Sequence, residues 1–481
     1  MTKIIINGRE VEADPKEPLI HACHQNGANV PMYCYHPGLS PVGSCRICQV
    51  EVKQGNGPAR VVVACRAPVV EGMVVDTEAP KAHETRRECL EFLLKNHPLD
   101  CPICDKAGEC DLQDYAFAEG QGEGRSNEPR RKLDKRKSLG DVIVLDEERC
   151  ILCSRCVRFT EEITKKPQLA VVDLGSRSTI STFMDRPLQG NYQGNLADVC
   201  PVGALTLKAF RFQARVWNLK KSLSTCGECS RGCAITVEVL RRKDVKRFRP
   251  RYEPKVNNWW MCDTGRFSSE RHNATERLVP AARRGSQGLE IASVERALKQ
   301  AAEFLSGAVA CIGSPFMTIE EAQSFAKLCS QLGAKPAFVS PAPSGLKDDL
   351  LNTGDPCPNR RGLLELGFEA LSPAASRARI AAAPAALLAG ERVLELCERA
   401  QLAAIRGPRI ATFDTHALEG DACDVAVGIP EQVEKSGHWV NIDGHVGKLT
   451  VARAAPAGVQ ALTRSLDELR ALLTSSGVAS R

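Results

Sequence analysis

Cys150-Ile151-Leu152-Cys153-Ser154-Arg155-Cys156 sets three cysteines at C-x2-C-x2-C spacing, and Cys200-Pro201 adds a fourth, followed by proline. Three thiols in one turn cannot all reach distant partners, so they point at a common centre. With no secretion signal in the chain, a disulfide framework is a poor explanation, and clustered cysteines more readily bind metal. A C-x2-C-x2-C run completed by a remote Cys-Pro is the ligand arrangement of a [4Fe–4S] cluster. A four-cysteine structural zinc site is the bland alternative.

In two-cluster bacterial ferredoxins a further cysteine follows the triad after three residues and ligates the other cluster. That position is Thr160 here. The spacing therefore predicts a ferredoxin-like unit over 141–216 that has lost one cluster of the pair. The [4Fe–4S] that remains falls to Cys150, Cys153, Cys156 and Cys200.

Three more sets flank this one. Toward the N-terminus, Cys34, Cys45, Cys48 and Cys65 are spaced x10, x2 and x16. Three thiolates in one loop and a fourth from the next strand suit a [2Fe–2S] ferredoxin, although the first gap is longer than the plant-type C-x4-C-x2-C. Gly43 and Ser44 keep the approach to Cys45 small. Next, His97-Pro-Leu-Asp-Cys101-Pro-Ile-Cys104-Asp-Lys-Ala-Gly-Glu-Cys110 offers three cysteines and a histidine. Three close cysteines need a fourth donor to hold a cubane. His97 is the favoured candidate and Cys89 the competitor. A neutral imidazole would leave the cluster less negative and help set its potential. Toward the C-terminus, Cys226-x2-Cys229-x3-Cys233 precedes Cys262 by 28 residues. This is a further [4Fe–4S] set, with a zinc ribbon as the alternative. Cys23 and Cys89 have no partner of matching spacing and are expected to be buried thiols. His21 and His24, on one helical face, are expected to be ordinary core or surface residues. No Cys-x-x-Cys pair is followed by histidine, so haem attachment is unsupported.

The wider composition agrees. The chain has 481 residues and 22 cysteines, of which seventeen lie at or before Cys262. The other five, Cys311, Cys329, Cys357, Cys397 and Cys423, stand apart, which divides a metal-rich front from a metal-free back. Hydrophobic residues make up 43% and charged residues 25%, as in ordinary globular chains. A net charge of +6 is too small and mixed to argue for nucleic acid. The basic runs from Arg130 to Lys137 and from Arg241 to Arg251 read as solvated faces or as docking faces for an acidic partner. The N-terminus is unlike a signal peptide, and the most apolar stretch, Ala381 to Gly390, is about half the ~18 residues a bilayer span needs. Any membrane contact is therefore expected to come through partners.

Alternating residues 3–8 and 10–13 around Asn7-Gly8 predict a hairpin, followed by a short helix from Pro18 and strands at 49–52 and 59–64. That order suits a β-grasp domain over 1–80. Residues 81–95 read as a helix leading into a one-His/three-Cys domain over 81–120. Residues 120–140, rich in Gly, Arg and Lys, read as a linker. Another unit opens near 219 and runs to 275. From 276 to 481 the pattern becomes αβ alternation: a strand at 308–312, a capping box at Thr318-Ile319-Glu320-Glu321 before a helix to Leu332, and strands at 409–413 and 424–429. The expected fold class is thus multidomain α+β and α/β.

These sets, in this order, resemble the large iron–sulfur subunit (the G subunit) of NADH:quinone oxidoreductase, respiratory complex I. The likeness covers residues 1 to about 275, and the stretch from His97 to Cys110, continued by Asp-Leu-Gln-Asp, carries it most strongly. The resemblance implies His97 as the fourth ligand, one [2Fe–2S] and up to three [4Fe–4S] clusters, with the Cys226 set off the main route. It implies electron transfer from a flavin-bearing NADH-oxidising partner, past the [2Fe–2S] and the neighbourhood of His97 to the Cys150 cluster, and on to partners that connect to the quinone site. It implies a peripheral place on the cytoplasmic face of the inner membrane. The region from Cys226 looks like the start of a molybdopterin-oxidoreductase domain, and Trp439-Val440-Asn441-Ile442-Asp443-Gly444-His445-Val446 like a late segment of one. About 200 residues between them are too few for the full domain, so a shortened, cofactor-free region is expected, with no molybdopterin. No dinucleotide fingerprint accompanies the clusters, so no catalytic residue is nominated and the chain is not expected to oxidise NADH alone. The iron–sulfur portion of an NAD-linked formate dehydrogenase or hydrogenase complex is the alternative. The former needs a complete molybdopterin domain and the latter a further cysteine set after residue 270.

Overall fold

The structure, a computed structural model, describes residues 1–274, 276–285, 288–416 and 422–475. The expected boundary at Thr275 and residues 476–481 of the expected 276–481 region lie outside the described residues. The chain divides into two compact units, Met1–Asn218 and Leu219–Arg481.

The first unit opens with β1 (Thr2–Ile6) and β2 (Arg9–Ala13), joined at Asn7-Gly8. Both turn residues have positive φ, 48° and 78°, as a tight hairpin turn of the primed type requires. Helix α1 (Leu19–Gln25) follows, then β3 (Gln49–Gln54), β4 (Arg60–Val63) and β5 (Met73–Asp76). The sheet runs β2-β1-β5-β3-β4, with β1 and β5 parallel. Leu19, Ile20, Ala22 and Cys23 of α1 pack on Ile4, Ile6, Val50, Val52 and Val75, burying one face of the sheet. Strand β5 has no counterpart in the sequence reading. Only four residues long, it is held between β1 and β3 by contacts far apart in the chain.

Helix α2 (Pro80–Asn96) starts on a proline, whose missing N–H costs nothing at that position. Its buried Arg86 donates to the carbonyls of Gln49 (2.9 and 2.7 Å) and Thr77 (2.8 Å), and pairs with Glu119 of α3 (Asp111–Glu119). One guanidinium thus fixes α2 to the sheet and to α3. The 120–140 stretch is more than a linker. Arg125 pairs with Glu91, Lys135 with Asp100 and Glu148, and β6 (Lys137–Ser138) adds an edge to a sheet ordered β10-β7-β6. Here β7 is Ile143–Leu145 and β10 is Leu205–Leu207. Between them lie α4 (Arg155–Arg158), the β8 (Leu169–Val172) and β9 (Thr179–Thr182) hairpin, and α5 (Asn195–Val199).

The second unit joins the segments read as separate, 219–275 and 276–481. It begins with an antiparallel sheet, β11 (Leu219–Thr225), β12 (Ala234–Leu240) and β13 (Asp244–Pro250). Its larger sheet has the order β15-β14-β21-β20-β19-β16-β17-β18. Strands β16 (Val309–Gly313), β17 (Ala337–Val339), β18 (Glu369–Leu371), β19 (Ala385–Ala389), β20 (Arg409–Asp414) and β21 (Val425–Gly428) are parallel, and the hairpin of β14 (Ala281–Gly285) and β15 (Gly288–Ala292) closes one edge antiparallel. Separate apolar cores cover the two faces, as a doubly wound sheet requires. The helix Ile319–Gln331 carries the capping box expected at Thr318 and Glu321. The strand order reverses between β16 and β19. Phe316 and Trp439 pack there edge to face, 6.5 Å between ring centres, and both are buried. A two-stranded ribbon, β22 (Gly437–Val440) and β23 (Val446–Leu449), follows.

Candidate metal centres

A chain that gathers thiols must bring N–H groups toward sulfur and keep side chains out of the way. In the described cysteine loops it does so with left-handed residues. Gly43 and Arg46 (φ 76° and 60°) fall in the first loop, Gly108 (φ 83°) in the second, Leu152 and Ser154 (φ 54° and 57°) in the third and Gly232 (φ 59°) in the fourth. Four of these six sit immediately beside a cysteine, where successive N–H groups form anion-binding concavities. Non-glycine residues in this region store strain that surrounding structure must over-determine.

In the first set, Cys34, Cys48 and Cys65 are buried and Cys45 is half-buried. The Cys34 N–H donates to Cys45 Sγ at 3.4 Å. Cys34 Sγ is hydrogen-bonded by Cys45 and Cys65, and Cys48 Sγ by Cys65, which pushes the Cys34 and Cys48 thiols down. Cys65 arrives from the end of β4, as the spacing implied. Cβ at Gly43 would lie 2.8 Å from Arg66 Cγ.

In the second set, His97, Cys101, Cys104 and Cys110 line one small pocket with Asp100, Arg149 and Gly203. His97 caps the C-terminal end of α2. Its Nδ1 is buried with no hydrogen-bond partner. Burial, with help from Arg149, lowers its pKa to about 4, so the imidazole is neutral at pH 7 with a lone pair available. Backbone N–H groups donate to Cys104 from Lys106 and to Cys110 from Leu112 and Gln113. Burial nevertheless pushes Cys110 up to about 11. Cβ at Gly203 would stand 2.2 Å from Cys104 Sγ. Cys101 is exposed. The competitor Cys89 points elsewhere: its Sγ donates to the Arg46 carbonyl at 3.6 Å, and it is half-buried, not buried as expected.

In the third set, Cys150, Cys153, Cys156 and Cys200 line a pocket walled by Leu145, Ile151, Ile180, Val202 and Leu205. Leu152 N–H donates to Cys150 Sγ at 3.4 Å. Burial pushes Cys150 up to about 12 and Cys153 to about 11. Thr160 is buried and donates to the Val157 carbonyl at 2.8 Å, so it serves its own turn.

In the fourth set, Cys226, Cys229, Cys233 and Cys262 are all buried. Cys226 N–H donates to the Cys233 carbonyl at 2.8 Å and Gly265 N–H to Cys262 Sγ at 3.3 Å. Cβ at Gly265 would lie 2.9 Å from Cys226 Sγ and 3.5 Å from Cys262 Sγ. Asn257 holds the loops together, accepting from Ala234 N–H and donating to the Trp260 carbonyl, both at 2.9 Å.

Donor chemistry fits iron–sulfur clusters on two counts. The donors are thiols plus one imidazole whose buried Nδ1 is unpartnered. Glycines keep Cβ atoms off two sets of sulfurs. Metal binding would displace the protons that burial keeps on these thiols.

Two residues missed by sequence reasoning tie the first unit's sets together. Arg158 donates to the carbonyls of Cys34, Ser40 and Cys153. Arg155 donates to the carbonyls of Tyr35 (2.6 Å) and Val199 (3.2 Å). The third set also meets the second: Arg149 pairs with Asp100 at 3.0 Å, and Asp111 N–H donates to the Pro201 carbonyl at 3.0 Å. Charged residues beside Cys156 were a weak signal. Gly203 and Gly265, each three residues past a cysteine, were a usable one.

Comparison with known families gives three matches in the first unit. Residues 1–80 match a 2Fe-2S iron-sulfur cluster binding domain. Residues 86–125 match the NADH-ubiquinone oxidoreductase-G iron-sulfur binding region. Residues 140–206 match the ferredoxin-like domain of NADH-quinone oxidoreductase subunit 3. The chain is 36% identical to the G subunit of NADH-quinone oxidoreductase from Streptomyces coelicolor, over 68% of this chain and 39% of the relative. It is 35% identical to the G subunit from Rickettsia felis, over 71% and 50%. It is 40% identical to the mitochondrial NADH-ubiquinone oxidoreductase 78 kDa subunit of Neurospora crassa, over 62% and 40%. A chain of an NAD+-reducing [NiFe]-hydrogenase in the H2-reduced state matches at 28% identity over 45% of this chain and 91% of that one, with a TM-score of 0.40. The chain spans between 39% and 50% of the length of the three curated relatives. With its 2Fe-2S and 4Fe-4S binding domains, it belongs to the family of the iron–sulfur G subunit of NADH-quinone oxidoreductase.

Proposed function

We propose that this chain is an electron-transfer subunit of NADH-quinone oxidoreductase, relaying electrons from a flavin-bearing NADH-oxidising partner toward partners at the quinone site. The gathering of fifteen cysteines and one histidine into four donor sets carries the reading. Cys34, Cys45, Cys48 and Cys65 would hold a [2Fe–2S] cluster. His97 with Cys101, Cys104 and Cys110, then Cys150, Cys153, Cys156 and Cys200, then Cys226, Cys229, Cys233 and Cys262, would each hold a [4Fe–4S]. Such clusters, when bound, supply one-electron chemistry without moving substrate atoms.

The chain's own part is to space, bury and tune. N–H groups donate to cysteine sulfur and stabilise its negative charge. The apolar wall of Leu145, Ile180 and Val202 keeps water from the third set. The links through Arg158 and Gly203 favour an order in which the Cys150 set stands between the other two of the first unit. That order differs from the sequence-based one, which left the Cys150 set last. A role without molybdopterin would accord with the buried edge-to-face pair of Phe316 and Trp439 near the point where the large sheet reverses, the region in which doubly wound sheets bind ligands. The chain would attach through partners at the cytoplasmic face of the inner membrane; among the described residues no helix is long and apolar enough to cross a membrane.

Iron and sulfide analysis of anaerobically purified protein tests the reading. About 14 iron atoms per chain are expected, from one two-iron and three four-iron clusters. Colourless protein, silent in EPR after dithionite, would overturn it. Formate or hydrogen turnover by the isolated chain would favour the alternative complexes.

A further inference from the structure

Arg149 immediately precedes Cys150 of the third set, yet its side chain lines the pocket of the second, with His97, Cys101, Cys104 and Cys110. Apolar residues wall the Cys150 pocket without it. A Cβ at Gly203 would meet Cys104 Sγ at 2.2 Å and Arg149 Cδ at 3.6 Å, so the sulfur and the arginine stem converge on one glycine. Arg149 is 4% exposed. A buried guanidinium is costly even when paired, and an apolar side chain of similar volume often serves stability as well. Its partners are two carboxylates: Nη2 lies 3.0 Å from Asp100 and Nε 3.2 Å from Asp146. They do not cancel its charge at the pocket. Asp146 is not among the lining residues. Asp100 is shared with Lys135, which reaches it at 2.5 Å. Among the described residues that line the pocket, Arg149 is the one cation and Asp100 the one carboxylate. Lys106, between Cys104 and Cys110, turns its ammonium to the Ala197 carbonyl at 3.1 Å.

We propose that Arg149 is a fixed charge that biases electron transfer: it favours the reduced state of the His97 set, and raises the reduction potential there relative to a chain lacking it, more than at the Cys150 set. The inference rests on the reading that both sets hold [4Fe–4S] clusters. Reduction adds one negative charge to a cluster, and the potential follows net charge and burial. A buried charge at short range acts with little screening by salt. An arginine aimed at one of two neighbouring sets therefore draws the electron toward that set. One electron enters the cluster; no proton leaves the guanidinium and no bond to iron is required.

The test is an EPR-monitored redox titration of the full chain, of Arg149→Gln, which removes the charge, and of Arg149→Lys, which keeps it. The signal of this set is the one that His97→Cys alters. In Arg149→Gln the reduced-to-oxidised ratio of that signal at fixed poise should fall about tenfold, equivalent to about 59 mV for a one-electron couple. The Cys150-set signal should move less, and Arg149→Lys should move the His97-set ratio far less than Arg149→Gln does. An unmoved ratio in Arg149→Gln, an equal or larger shift at the Cys150 set, or a fall in Arg149→Lys as deep as in Arg149→Gln overturns the proposal. If Arg149→Gln fails to fold because buried Asp146 is left unpaired, Arg149→Gln combined with Asp146→Asn removes that carboxylate too. The ratio should still fall, since Asp146 does not line the pocket, and an unmoved ratio in the double variant overturns the proposal. An unsubstituted chain without iron overturns the functional reading itself, and this inference with it.

Discussion

Gly203 shows how little room a donor set leaves. A Cβ there would stand 2.2 Å from Cys104 Sγ, inside any tolerable contact, with Lys106 Cβ at 3.3 Å closing the other side. Its φ is not in the left-handed region, so the constraint is space rather than backbone strain. We expect Gly203→Ala to displace Cys104 and to lower the iron count by about four per chain, one four-iron cluster. EPR should show loss of the His97-set signal alone. Gly122→Ala, where nothing lies within 4 Å, is the control and should leave the count unchanged. At this scale much was legible. Cysteine spacing is local, and a loop of a few residues can only close on itself, so the donors of each set could be grouped from sequence. Cys89 could not be placed by spacing, because its direction depends on which face of α2 meets Arg46. Arg149 gave no signal at all, since its place beside Cys150 in sequence does not tell that its side chain lines the pocket of the other set.

Elements inherit the same division between local and distant causes. The cap at Thr318 was readable because all its partners lie within four residues: Thr318 Oγ1 accepts from Glu321 N–H at 3.2 Å, and Glu321 accepts in return from Thr318 N–H at 2.8 Å. Thr318→Ala should destabilise the second unit by about 1 kcal/mol, measured by denaturant unfolding. Strands β5 and β6 were not readable, being short and defined by neighbours distant in sequence. Nor was the task of α4. Its Arg158 is 7% exposed and satisfies carbonyls of Cys34, Ser40 and Cys153. Arg158→Met keeps much of the side-chain volume and leaves three carbonyls unpaired. Each buried unpaired group costs about 1–3 kcal/mol, so with three carbonyls affected the first unit should lose at least about 3 kcal/mol. If the guanidinium also fixes spacing, the spin-relaxation coupling between the [2Fe–2S] signal and its neighbour should change. An unchanged stability would mean that solvent replaces Arg158 freely.

At the scale of the whole molecule, compactness divides the chain after Asn218, and the donor sets divide with it. Twelve donors, from Cys34 to Cys200, lie in the first unit; Cys226, Cys229, Cys233 and Cys262 lie in the second. Sequence reading separated 219–275 from the residues after it, because the cysteine sets stop there and the composition changes. The fold joins them. Gln432 donates to the Thr225 carbonyl at 2.6 Å, Asn441 to the Arg231 carbonyl at 3.0 Å, and buried His272 meets Glu431 at 3.0 Å. These bonds span up to about two hundred residues of sequence, which no local pattern encodes. A break in composition therefore marked the end of a ligand set and not the end of a folding unit. Two fragments test this. Residues 1–218 should fold alone and carry about 10 iron atoms, one two-iron and two four-iron clusters, while residues 219–481 should carry about four. A third fragment, 219–275, lacks the carboxamides of Gln432 and Asn441 and the partner of His272, and should hold little iron and show no cooperative unfolding. Full iron on 219–275 would show that the Cys226 set needs only its own loops, and the unit would then divide where the composition does.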